Sequence, residues 1–243
     1  MFRTLAIPVL FAAAAAAANE REIRQALEGK LGGAKVEAVQ ASPVPGIFEV
    51  RVAGRDGPQI LYTDAQGAHV FDGNLYDLRA GRNLTEERLR KLTAIPFGSL
   101  PLELAVKVQR GNGRRVLAVF SDPYCPACQQ FERTLIEVGD ITIYYFMYPV
   151  IRPELADHSR AVWCAPDRAK AWLDLALRGR PTPLAPGCEA PIERIVELGR
   201  SLRIGSTPTL ILATGERIRG GPPAAQLRSL LDEAAKEAAR SKK

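Results

Sequence analysis

Histidine is scarce in this 243-residue chain: His69 and His158 are the whole supply, and neither has a second histidine near it. Cysteine numbers four, and only Cys125 and Cys128 lie close together. A zinc centre needs four ligands at suitable spacings. With two solitary histidines, and with Cys164 and Cys188 too far apart to form a second CxxC, the ligand set is incomplete, so no metal and no other cofactor is expected. A block of like charge is also missing. The 33 Lys+Arg exceed the 27 Asp+Glu by +6, but REIRQ and EERLRK mix the two signs and GRRV is short. Such scattering makes solvated faces rather than a nucleic-acid footprint, and no nucleic-acid partner is expected. There is no internal repeat. Beyond the first 20 residues no apolar run reaches the roughly 20 residues that a membrane-spanning helix needs.

The first residues do carry an apolar run. MFRTLAIPVLFAAAAAAANE gives a basic residue, about a dozen apolar residues and then small residues suited to A-x-A cleavage. We read residues 1–18 as a secretory signal cut after Ala18, which makes the protein exported. In an oxidising compartment an even set of four cysteines provides two disulfide-capable pairs, with three pairings possible.

Residues 19–80 read as a small α+β unit. NEREIRQALEGKLGG sets Ile23, Leu27 and Leu31 on one helical stripe that stops at Gly32-Gly33. Strand candidates follow in VEAVQ, in IFEVRVAG with Phe48, Val50 and Val52 on one face, and in ILYTD and AHVFD on either side of a turn. About six short elements make a thin core, so docking or oligomerisation is expected. Residues 81–99 read as a connecting helix, with Thr85 as N-cap, a narrow stripe of Leu89 and Leu92, and Pro96 as its stop. From residue 100 the pattern becomes strand, turn, strand, helix, strand. A helical insert over about 153–203 follows, and strand, strand and helix close the chain. That is the order of an α/β thioredoxin-like sheet with a helical insertion.

The short segment FSDPYCPACQQFERTL lies where an apolar strand gives way to a helix. Its cysteines are candidates for a metal clip, a structural staple or a redox pair. The clip lacks ligands, and a staple across two residues would constrain the unfolded chain little. A redox pair fits the surroundings. Cys128, Phe131 and Leu135 share the inward face, while Cys125 falls at the first, exposed turn. Unpaired amides and the macrodipole at a helix N-terminus favour a thiolate there, and a shift of roughly two pKa units corresponds to about 2.7 kcal/mol. Cys125 is therefore assigned as the attacking thiolate and Cys128 as the resolving thiol, with Pro126 suited to the first helical turn.

Cys164 sits in the helical pattern SRAVWCAPDRAKAW, and Cys188 follows the breaker-rich loop PTPLAPG. A disulfide between them would contribute about 3.5 kcal/mol by loop closure; two buried free thiols are the alternative. In GSTPTLIL, Thr207-Pro208 opens an apolar strand. Proline lowers the energy of a cis bond to about 0.5–1 kcal/mol and so permits a tight turn against the cysteine helix.

These pieces, in this order, resemble the bacterial periplasmic disulfide isomerases of the DsbC/DsbG family, and the DsbC branch more than the other. The likeness is carried by FSDPYCPAC, by AVWCAPDRAKAW followed by Cys188, by GSTPTLIL and by GERIRGGPPAAQLRSLLDE. VPGIFEVRV, ILYTDAQGAHVF and GNLYDL resemble the family's N-terminal dimerisation domain. The resemblance implies a V-shaped homodimer whose thioredoxin-like domains face an apolar cleft for misfolded or wrongly disulfide-bonded exported proteins. It implies an active site at Cys125 and Cys128, a structural disulfide at Cys164 and Cys188, and a cis-proline at Pro208 beside Thr207. It also implies a membrane reductase of the DsbD type as partner. One departure stands out: Pro126-Ala127 replaces the family's Gly-Tyr or Pro-Tyr. That dipeptide tunes redox potential, so isomerase, oxidase, reductase of single oxidised cysteines and holdase chaperone all stay open from the sequence.

Overall fold

The computed structural model describes residues 19–54 and 57–240. The secretory signal read in residues 1–18 lies outside them. The chain divides into two compact units at Leu92/Thr93.

The first unit begins with helix α1 (19–27), which buries Ile23 and Leu27. Strands β1 (Lys35–Ala41), β2 (Ile47–Gly54), β3 (Gly57–Asp64) and β4 (Val70–Phe71) form an antiparallel sheet in chain order. Alternation along β2 turns Val50 and Val52 inward, where they meet Ile23, Leu27, Val36 and Leu61, with Phe48 and Leu31 at the margin. Among the described residues this cluster has six buried side chains, with Ile60 and Tyr62 buried elsewhere on β3, which makes the unit thin. A two-stranded ribbon, β5 (Tyr76–Asp77) with β6 (Arg82–Asn83), precedes helix α2 (Leu84–Leu92).

The structure corrects the reading of residues 81–99 as one connecting helix capped by Thr85. The helix covers Leu84–Leu92 alone, and its cap is Asn83, whose Oδ1 accepts the Glu86 N–H at 3.1 Å. Thr85 lies buried within the first turn. Its hydroxyl meets the Tyr62 hydroxyl at 2.6 Å and accepts the Leu75 N–H at 2.8 Å. Arg88 adds an ion pair to Glu49 at 3.1 Å. These bonds fasten α2 to its own unit. Residues after Leu92 belong to the second unit, where the Ile95 N–H bonds the Gly215 carbonyl at 2.8 Å.

The second unit is built on a five-stranded sheet of order β11-β10-β8-β9-β7. Its strands are β7 (Val106–Arg110), β8 (Arg115–Ser121), β9 (Ile141–Met147), β10 (Thr209–Leu212) and β11 (Arg217–Arg219). β8 and β9 run parallel and are joined by helix α3 (Pro126–Val138); the other pairings are antiparallel. Leu117 to Phe120 are fully buried on both faces, as a central strand of a covered sheet requires. Between β9 and β10 the chain inserts α4 (Ala156–Cys164), α5 (Arg168–Arg178) and α6 (Ile192–Ser201). Helix α7 (Ala224–Arg240) packs Leu227 and Leu231 into the same core.

Candidate active site at the start of helix α3

Strand β8 ends at Ser121, and Asp122 to Tyr124 turn the chain into α3. The Cys125 N–H closes this turn on the Asp122 carbonyl at 3.1 Å. Cys125 is the N-cap residue, with extended backbone, and Pro126 takes the first helical position, where its missing N–H goes unmissed. Both cysteines of the motif are free. Thr207, 82 residues after Cys125, and Pro208 are joined by a cis peptide and lie at the head of β10, next to β8. The Cys125 thiol donates to the Thr207 carbonyl at 3.3 Å.

That contact corrects one sequence expectation. Cys125 does not stand on an exposed turn but retains 6% of its surface, against 2% for Cys128. Thr207 meets the sulfur at the helix start, so the order of access between the two thiols holds while the margin narrows.

The two sulfurs nevertheless experience different fields. Burial opposes ionisation of Cys125, but the Thr207 side chain, the N–H groups of Cys128 and Ala127 and the Cys128 thiol outweigh it, and the thiol lies below its ordinary value. Cys128 is pushed up to about 12, first by burial and further by a Cys125 thiolate, against the lowering effects of Ser121, the Asp122 N–H and Thr207. The Thr207 hydroxyl is buried, and as a donor directed at the two sulfurs it lowers both thiols. This arrangement favours the thiolate at Cys125 over one at Cys128, which stays protonated at neutral pH.

Several site residues escaped the sequence reading. Asp122 is wholly buried beside the cysteines. Tyr124 stacks at a tilt on His158 of α4, ring centroids 5.7 Å apart, and its hydroxyl bonds His158 Nδ1. Glu132 lies one turn beyond Cys128 on the inner face of α3, 1% exposed. Tyr145 donates to it at 2.9 Å, the Trp172 indole at 3.3 Å, and Arg110 approaches to 3.8 Å. Burial outweighs these partners and pushes the carboxyl up to about 7. Its signal was present, since positions 128, 131, 132 and 135 make one stripe and a glutamate occupies one of them. The tie between Tyr124 and His158 had no such signal, because it joins residues 34 apart across a helical insert.

Cys164 at the end of α4 is bonded to Cys188 in the loop before α6, with Cα atoms 6.0 Å apart. Among the described residues no group of three or more His, Cys, Asp or Glu side chains is placed to hold a metal.

A mixed five-stranded sheet, a CxxC at the start of the helix after its central strand, and a cis-proline turn against the first cysteine together define a thioredoxin-fold thiol–disulfide oxidoreductase. Family comparison agrees at both ends of the chain. Residues 13–86 match the disulfide bond isomerase protein N-terminal domain, and residues 102–235 the thioredoxin-like domain. A probable thiol:disulfide interchange protein DsbC of Bordetella parapertussis is 40% identical, over 86% of this chain and 73% of that protein. The thiol:disulfide interchange protein DsbC of Escherichia coli is 27% identical, over 90% and 89%. The crystal structure of a disulfide interchange protein from Neisseria gonorrhoeae superposes with a TM-score of 0.52 at 35% identity, over 56% of this chain and 99% of that one. The chain belongs to the DsbC family of thiol:disulfide interchange proteins.

Proposed function

We propose that this protein is a periplasmic protein-disulfide isomerase, with Cys125 as its nucleophile. The observation that carries the reading is a free CxxC pair at the start of α3, with Cys125 at the N-cap against the Thr207 carbonyl and Cys128 beneath it, in surroundings that lower the first thiol and raise the second. In the first step Cys125 thiolate attacks one sulfur of a wrong client disulfide. A bond forms between Cys125 and that sulfur, the client bond breaks, and the electron pair leaves on the other client sulfur as a thiolate. A second client thiolate then attacks the mixed disulfide, forms a new client disulfide and returns Cys125 as thiolate. No net oxidation or reduction occurs. When the adduct stalls, Cys128 loses its proton and attacks Cys125, which leaves an oxidised CxxC and a reduced client. Restoring the pair takes two electrons, the service that a membrane dithiol reductase of the DsbD type would provide.

Thr207 and Pro208 serve in this scheme as the turn that meets Cys125 and any client strand bound to it. The Cys164–Cys188 bond is structural. Export is supported by the signal-like residues 1–18 and by the disulfide itself, and no helix among the described residues is long and apolar enough to cross a membrane. A homodimer through the N-terminal unit is supported by its thin core and by apolar side chains left in the open: Phe71 on the short β4, Tyr76 on β5, and Leu78, 89% exposed.

The test is refolding of a scrambled protein with several disulfides. Cys125→Ala is expected to reduce native-disulfide recovery to the uncatalysed background. Full rescue by that variant would sink the isomerase reading and leave a holdase. Thiol trapping in cells adds the second arm: an isomerase rests with Cys125 and Cys128 mostly reduced, whereas a mostly oxidised pair means an oxidase.

A further inference from the structure

Asp122 has no exposed surface. Burying a carboxylate is expensive unless its oxygens are bonded, and both are. Oδ1 accepts the Tyr124 N–H at 2.8 Å, and Oδ2 accepts the Ile151 N–H at 2.7 Å. Neither partner is a cation, so ion pairing does not explain the placement. The two amides come from different segments: Tyr124 immediately precedes Cys125, and Ile151 lies in the loop after β9. The main chain of the same residue reaches both cysteines. Its carbonyl accepts the Cys125 N–H at 3.1 Å, and its N–H faces the Cys128 sulfur.

We propose that the Asp122 carboxylate is a positioning residue for thiol exchange, pinning the 122–125 turn to the loop after β9 so that its own backbone stays in register with both cysteines. The inference rests on the thiol-exchange reading above but is separable from it. Without the pin, the turn that presents Cys125 to the amides of α3 loosens, and the thiolate loses donors. A carboxylate acting only as a nearby negative charge would do the reverse, because its removal would favour the thiolate. The two accounts therefore differ in sign.

Asp122→Asn in the full chain keeps the side-chain shape but sets an NH2 group against one of the two backbone donors. The other titratable and charged groups facing the turn, Cys125, Cys128, Tyr124 with His158, and Arg152, are chemically unchanged by the substitution. The readout is the pH profile of Cys125 alkylation. Its midpoint is expected to rise by about one pH unit, with roughly a tenfold slower reaction at neutral pH. An unchanged or lowered midpoint overturns the proposal. A second measurement needs no variant: Ile151 is 52% exposed, yet its backbone amide should be protected from hydrogen exchange in the reduced wild-type protein. Exchange at the rate of an open loop overturns the pin even where the asparagine variant fails to fold. Neither readout involves client turnover, so failure here and failure of Cys125→Ala to abolish isomerisation are distinct results.

Discussion

The molecule uses cysteine twice, and the two pairs differ in everything except the atom. Cys125 and Cys128 share one helical turn, remain free, and are ringed by N–H and O–H donors from α3, Asp122 and Thr207. Cys164 and Cys188 are 24 residues apart, bonded, and tie the end of α4 to a loop rich in proline. The first pair closes almost no chain, so bonding it constrains the unfolded state little; the second closes a long loop and constrains it a good deal. What separates a working thiol from a structural one here is the company of donors and the length of chain enclosed.

Breaking the second pair is the largest expected stability effect. The double variant Cys164→Ser/Cys188→Ser should lose about 3.5 kcal/mol in denaturant unfolding, the loop-closure value for 24 residues. Cys125 alkylation in the folded variant should stay within about twofold of wild type if the pairs are independent. The comparison has a built-in strain point, because α4 carries His158 as well as Cys164 and His158 holds Tyr124, the neighbour of Cys125. A large change in Cys125 reactivity would mean that the insert, through that bond, belongs to the working pair as much as to the structural one.

Glu132 sharpens the contrast from beneath. Its carboxyl is raised from 4.5 to about 7, so the folded chain holds this proton more tightly than the unfolded chain does. Its contribution is present at low pH and is lost as pH climbs from about 4.5 to 7, a decline of about 3 kcal/mol in the limit of full burial. Glu132→Gln removes the titrating proton while keeping the shape. Unfolding free energies at pH 5 and pH 8 should differ less for the variant than for wild type by about 2 to 3 kcal/mol. Equal pH dependence in both proteins would show that Tyr145, Trp172 and Arg110 hold the carboxylate ionised throughout.

Much of this is legible in the sequence alone. The order of strands around CxxC, the TP turn before TLIL and the alternation of Val50 and Val52 all follow from local pattern, and pattern survives in sequence. Site chemistry was legible where it depended on helix position, as at Cys125 and Cys128. Asp122, His158 and Glu132 act through partners 29, 34 and 40 residues away; the stripe on α3 shows that Glu132 faces inward, but no local periodicity encodes any of the three partners. Thr85 failed for another reason: threonine suits an N-cap as well as a buried polar contact, and Asn83 two residues earlier took the cap.

The smallest effect isolates the donors that distinguish the working pair. Thr207 Oγ1 is buried, and facing a neutral thiol its donor is poorly satisfied, an arrangement that costs about 1 kcal/mol of fold stability. The same hydroxyl lowers the Cys125 thiol, so it is unsatisfied only until the sulfur ionises. Thr207→Val keeps the branched shape and deletes the donor. Unfolding free energy should therefore rise slightly or stay level, while the Cys125 alkylation midpoint moves up by roughly one pH unit, equivalent to about 1.4 kcal/mol of thiolate stabilisation. A purely structural threonine would give the opposite pair of results, a weaker fold with an unmoved midpoint. The Cys125 thiolate would then owe its stabilisation to the amides of Ala127 and Cys128 and to the Cys128 thiol, with the burial of Cys128 supplying the rest of the asymmetry.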